Sequence, residues 1–235
     1  EYSKLLGDNK RIQEYFAAAG YKTAAFCTHP ALEEWGFDRG FQEFHAYQKA
    51  DNRATRDFVE WYEENKGERF FVLVYLFDPH QPYNPQETSP ELNDKIAALG
   101  MQRKMIAAGW PWLRSDKRIV TVTSDPGEPS ELSEEEIEIL HGLYNGDIGD
   151  IDERIGRIME PILEDDAAVV ALLADHGEEW MDHGGLLHWY TLYHELLEIP
   201  FILRVPGRRA GVADYPITNL DVLPTLLDLA GIAHG

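Results

Sequence analysis

The chain has 235 residues, 44% apolar and 27% charged, enough to enclose a large buried core. Its most apolar runs, residues 70–77 and 167–174, are strand-sized and far short of the roughly 20 residues that cross a bilayer. With 42 acidic against 21 basic residues the formal net charge is -21, which excludes the basic face of a nucleic-acid binder. Most single carboxylates in such a chain are expected on solvated helix faces.

There is no initiator Met and no leader at the start, and the opening residues read as the middle of a domain, so a fragment is expected. Residues 9–19 carry Ile12, Tyr15, Phe16 and Ala19 at helical spacing and stop at Gly20, a residue suited to ending a helix. Residues 22–28 form a short apolar run that predicts a buried strand. Cys27 lies within it as the only cysteine, so no internal disulfide can form. The aromatic, Gly-containing segment 35–44 predicts a packed loop. Residues 53–65 predict a helix with Phe58, Trp61 and Tyr62 on one face.

Residues 70–77 (FFVLVYLF) are continuously apolar and predict a central strand covered on both faces. The run ends in Asp78, Pro79 and His80, followed by an irregular Pro-containing stretch to about residue 90. A helix near 91–108 and a polar loop at 124–129 are expected next. Residues 133–163 predict a long amphipathic helix opening with Ser133 and Glu136 as a capping box. Its stripe is Ile137, Leu140, Tyr144, Ile148, Ile151, Ile155, Ile158 and Ile162, with Gly142, Gly146 and Gly149 as places for a kink. Residues 167–174 and 199–205 predict two further strands. A last helix covers 221–230, with Pro224 in its first turn.

Helices alternating with apolar strands predict an α/β fold with a mostly parallel, doubly wound sheet flanked by helices. Ligands in such sheets collect beyond the C-terminal ends of the strands. Two predicted strands end there in an aspartate and a histidine, Asp78 with His80 and Asp175 with His176.

The segment from Asp175 to His188 is dense in metal-ligand types. Asp175 and His176 at a strand end can hold a divalent ion that polarises an ester oxygen, and Gly177 permits a sharp backbone turn. His183 and His188 can bind an oxyanion or protonate a leaving group. The competing reading is a capped turn with hydrogen-bonded histidines. Pro79 and Pro82 stiffen the loop around His80 and would hold that ring in one orientation; a purely structural turn is the alternative.

Six segments in order carry a resemblance: AGYKTAAF at 19–26, GFDRGF at 36–41, DPHQPY at 78–83, YNGDIGDIDERIG at 144–156, DHGEEWMDHGGLLHWYTLYHELLEIP at 175–200 and DVLPTLLDLAGI at 221–232. Together they resemble the sulfatase family of the alkaline phosphatase superfamily, over about residues 5–232. The resemblance implies one partial catalytic domain over residues 1–235, alkaline phosphatase-like, with its N-terminal part missing. It implies a divalent metal ion, calcium first and manganese as the alternative, held partly by Asp175 and His176. His80, His183 and His188 are the implied catalytic residues, and a sulfate ester, small or on a glycan, is the implied substrate. His188 stands where the family often has Lys; imidazoles as a class ordinarily change charge near neutral pH, whereas lysines do not.

The family nucleophile, a Cys or Ser in C/S-x-P/A-x-R converted to formylglycine, is expected in the missing N-terminal part. Cys27 is followed by THPA, with proline one place late and no arginine, so a buried structural thiol is expected there. The paired N-terminal aspartates of the family have no counterpart, and Asp165 and Asp166 read as a solvated helix end. By itself the chain is therefore expected to be inactive. Two alternatives stand beside the sulfatase reading. One is a phosphodiester or phosphonate hydrolase, or phosphoethanolamine transferase, of the same superfamily. The other is a non-catalytic remnant or binding module. A periplasmic or extracellular location is implied by the resemblance.

Overall fold

A computed structural model describes residues 9–81, 83–98, 133–183, 186–188 and 191–234. The second half of the helix expected at 91–108, the loop expected at 124–129, Pro82 and Gly184 lie outside the described residues. The chain divides into two compact units: residues 1–77, 154–165 and 209–235 form one, and residues 78–153 and 166–208 form the other.

The first unit is built on β1 (Lys22–Cys27), flanked by β2 (Glu43–Ala46) and β3 (Phe70–Tyr75) in the order β2-β1-β3, all parallel. Ala24, Ala25, Phe26 and Cys27 are buried on both faces of β1, as an unbroken apolar run requires. Two helices pack on this strand: α1 (Ile12–Ala18) and α3 (Arg53–Asn65), with the single-turn α2 (Ala31–Glu34) between them in sequence. Helix α3 presents Phe58, Trp61 and Tyr62 to the interior, and Phe58 and Trp61 meet Phe26 edge-on. Burying each such aromatic is worth about 1.5–3 kcal/mol.

Among the described residues this sheet is centred on β1, and β3, expected to be central, pairs with it on one side with Leu73 exposed. Composition alone cannot rank two apolar strands; the pairing decides. Strand β2 was not expected at all, because Glu43, Phe44, His45 and Ala46 show neither an apolar run nor a clean alternation. Asp165 is not merely solvated: it accepts a hydrogen bond from the Tyr62 hydroxyl at 3.0 Å.

The second unit holds α4 (Pro90–Ala98), the first part of the long helix α5 (Glu134–Leu163), β4 (Val170–Leu173), β5 (Glu179–Trp180), β6 (Leu186–Leu187), the single-turn α6 (His194–Leu197) and β7 (Phe201–Arg204). β4 pairs antiparallel with β7 and β5 antiparallel with β6. Helix α5 opens with the expected box, Ser133 N donating to Glu136 Oε2 at 2.8 Å and Glu136 N to Ser133 Oγ at 3.3 Å.

Its glycines do not break it. A Cβ at Gly146 would lie 2.7 Å from the ring of Pro85, so glycine there lets the loop after Tyr83 press against an unbroken helix. The core of this unit joins Tyr83, Ile96, Ile139, Leu140, Leu143 and Leu187. The expected stripe of α5 is largely turned inward, with Leu140, Ile158 and Ile162 buried; Ile139 and Leu143 are sealed beside it, while Ile148 is 42% exposed. Asp147 turns inward to accept the Asn84 amide at 3.1 Å, and Asp150 accepts the Gln86 amide at 2.7 Å.

The last helix, α7 (Asn219–Leu229), belongs to the first unit and begins two residues earlier than expected, with Thr218 and Asp221 as a capping box. Pro224 therefore falls in the second turn, where it removes one bond to a preceding carbonyl.

Candidate functional site

Three of the expected histidines come together in the second unit. The ring centroids of His176 and His188 are 4.3 Å apart, and those of His80 and His188 are 4.9 Å apart. Each ring is fixed by a different acceptor. His80 Nδ1 pairs with the Gln81 carbonyl at 2.6 Å and His176 Nδ1 with the Gly177 carbonyl at 2.8 Å. His188 Nδ1 pairs with Glu178 Oε1 at 2.7 Å. A carbonyl or carboxylate only accepts, so all three rings carry their proton on Nδ1, and the Nε2 lone pair of each neutral ring points elsewhere.

Asp175 lies two residues beyond the end of β4, with Oδ1 3.8 Å from His176 Nε2. Two donors each about 2.1–2.4 Å from one cation stand roughly 3–4 Å apart, so this pair can share an ion. The tautomer set by the Gly177 carbonyl is the one such a ligand needs. Both side chains are exposed and reachable.

His188 is held differently from the other two. Its side chain is 12% exposed and that of Glu178 6%. Glu178 also accepts a hydrogen bond from the Tyr83 hydroxyl at 2.8 Å. Burial, then the neighbouring Glu178 charge, pushes the Tyr83 phenol far above its ordinary range, so it remains a donor. The result is a buried Tyr83–Glu178–His188 chain.

Glu178 stood in the acidic cluster of the sequence without a role of its own, and Tyr83 only closed a motif. They are 95 positions apart, so no spacing rule could have joined them.

His183 faces another way. Its Nδ1 pairs with Glu195 Oε1 at 2.5 Å and its ring stacks on Tyr193 at 3.7 Å between centroids. Hydrogen bonds from its own backbone amide and from His183 hold the Glu195 carboxyl below the ordinary carboxylate range. Among the described residues, one ligand atom each from Glu179, His183 and Glu195 lie within 4.8 Å of one another. Sequence reasoning counted Glu179 within the cluster of metal-ligand types without a role of its own, and gave Glu195 no part in a site.

Gly177 ties the segment together. Its amide donates to the Leu196 carbonyl at 2.9 Å, and a Cβ there would stand 2.0 Å from the Glu195 carbonyl oxygen. No other residue fits without moving the backbone that carries Asp175, His176 and Glu178.

In the first unit Cys27 is sealed between β1 and its neighbours, and burial pushes its thiol up to about 12, which suits the structural role expected for it.

A family model described as Sulfatase matches residues 2–232. The uncharacterized sulfatase YidJ of Escherichia coli is 26% identical over 193 residues, covering 78% of this chain and 36% of its own length. The multifunctional alkaline phosphatase superfamily protein PehA of Trinickia caryophylli is 32% identical over 179 residues, covering 70% of this chain and 35% of its own. The chain thus spans about a third of the length of these relatives. Among solved structures, that of BT4656 in complex with its substrate D-glucosamine-2-N,6-O-disulfate superposes with a TM-score of 0.68 at 17% identity, covering 99% of this chain and 63% of that one. At that identity the likeness is one of fold.

Proposed function

Because the chain belongs to the sulfatase family, we propose that the whole protein hydrolyses sulfate esters, small or borne on a glycan, with the help of a divalent ion. The observation that carries this reading is the family match over residues 2–232. The grouping of His80, His176 and His188 supports it.

Asp175 and His176 supply two of the ion's donors, with calcium the first choice and manganese the second; when bound, the ion supplies positive charge that polarises an ester oxygen. An anionic ester approaching a chain of net charge -21 needs such local compensation. His80 and His188 lie against the sulfate oxygens or the leaving group, each offering Nε2 because Nδ1 is engaged. His183 carries the leaving-group proton, oriented by Glu195.

The attacking group is expected to be formylglycine. Cys27, buried and lacking the motif, is not its precursor. The 235 residues alone are accordingly expected to be inactive and to form part of one catalytic domain. The reading carries with it export to the periplasm or the cell exterior.

The test is release of inorganic sulfate by the whole protein from aryl and sugar sulfates, beside matched phosphoesters. Sulfate release that is lost on chelation and restored by calcium or manganese is expected. Phosphoesters cleaved with sulfates untouched would defeat the proposal. That outcome would favour phosphodiester or phosphonate hydrolysis, a reading with its own support in the 32% identity to PehA, a protein described as multifunctional.

A further inference from the structure

Glu179 is the anomaly of the second unit. It is 2% exposed, on the short strand β5, and its Oε2 accepts the Thr191 hydroxyl at 2.8 Å. Its Oε1 is buried and has no hydrogen-bond partner among the described residues. Leaving a carboxylate oxygen buried and unsatisfied is costly, and such atoms ordinarily have a partner. The groups nearest in kind are His183 and Glu195, whose ligand atoms lie with one of Glu179 inside a 4.8 Å span.

We propose that Glu179, His183 and Glu195 form a second metal site, separate from the Asp175–His176 pair, that takes a transition-metal dication such as zinc or manganese. Two carboxylates and one imidazole are a borderline donor set; calcium, which prefers six to eight oxygens, is disfavoured by the ring nitrogen. Donors about 2.0–2.2 Å from an ion stand up to about 4 Å apart, so a small contraction of the 4.8 Å span closes the site.

His183 Nδ1 and Glu195 Oε1 now share a proton at 2.5 Å; for the ion to take Nδ1, the neutral ring moves that proton to Nε2 and frees the Glu195 carboxylate as a ligand, with no net release of a proton. Thr191 on Glu179 and the Tyr193 ring on His183 hold two of the three donors in place from outside the site. The site is independent of the substrate reading. If His183 handles the leaving-group proton, occupancy of this site withdraws that ring from the reaction.

The experiment is calorimetric titration of the metal-stripped whole protein with zinc, in an Asp175→Asn, His176→Ala background that removes the other pair. One equivalent is expected to bind. Adding Glu179→Gln or, separately, Glu195→Gln is expected to weaken that equivalent by on the order of 10–100-fold or more. Circular dichroism checks the fold of each variant, and one folded variant suffices. No zinc bound in the background protein, or binding unchanged by both glutamines, would overturn the site. Neither result depends on turnover, so failure of the sulfatase reading is read separately.

Discussion

Replacing Glu178 by glutamine keeps the side chain's shape and removes its charge from a buried position between Tyr83 and His188. Glutamine offers one acceptor oxygen where the carboxylate offered two, so it cannot serve both partners as Glu178 does. If its amide nitrogen faces His188, the ring must shed its Nδ1 proton and carry it on Nε2, the wrong tautomer for accepting a proton there. A hydrogen bond to a charged group contributes about 1.5–3 kcal/mol. At roughly 1.4 kcal/mol per decade, losing one predicts a fall in kcat of about 10- to 150-fold, with KM little changed because the ring still occupies its place.

Glu178 is a positioning residue in this scheme, so the assay needs a readout beyond rate. Nitrogen-15 NMR of the imidazoles is expected to show His188 protonated on Nδ1 in the native protein and redistributed in Glu178→Gln. Tyr83→Phe is the control: it removes the other bond to Glu178 and leaves His188 engaged, so kcat stays within about fivefold while stability drops by about 1–2 kcal/mol. Native turnover in Glu178→Gln with an unchanged tautomer would refute the orienting role. So would a Tyr83→Phe variant as impaired as Glu178→Gln.

Gly177→Ala drives a Cβ to within 2.0 Å of the Glu195 carbonyl oxygen and is expected to cost about 1–3 kcal/mol, a Tm drop of roughly 2–12 °C by calorimetry. Gly149→Ala, on an open face of α5, is expected to raise Tm slightly, by up to about 1 kcal/mol of helix propensity. The Cys27 thiol, pushed up to about 12, is expected to resist a neutral-pH thiol reagent until the protein is unfolded; labelling of the folded protein within minutes would contradict its burial. Burial also holds His29 below its ordinary value of about 6.5, so between the two values the unfolded chain binds more protons. Stability contributed by neutral His29 is therefore lost as pH falls through about 6.5 toward the native value, and His29→Asn is expected to flatten Tm against pH between about 7 and 5. The low-lying carboxylates Glu14, Asp51 and Asp57 act only in a more acid range, and an unchanged slope in the variant would count against the His29 assignment.

What the sequence made legible is whatever repeats locally. The apolar run of β1, the one-sided aromatics of α3 and the Ser133–Glu136 box of α5 are each written within a few residues. What it hid depends on distant partners. Strand β2 exists because Ala24–Cys27 offers it a ladder, and no residue from Glu43 to Ala46 announces that. On α5, Asp147 captures the Asn84 amide 63 positions away, when its carboxylate had every sign of a solvated one. His80 and His176 were visible as residue types at strand ends and His188 within the ligand-rich segment, but which acceptor fixes each ring was not. Glu179 stood in the ligand-rich cluster without a role, and Glu195 looked like one more surface acid in a chain carrying 42.

Tyr83 has a double membership: its ring is packed with Ile139, Leu143 and Leu187, while its hydroxyl reaches Glu178. Any void opened beneath that ring shifts the phenol against a carboxylate whose other oxygen holds His188. Damage inside the helix core would thus surface first as lost stability, with turnover changed by no more than the few-fold that loss of the hydroxyl bond itself allows. For anyone repacking this core to harden the protein, the ring of Tyr83 marks where the apolar packing and the site share one side chain.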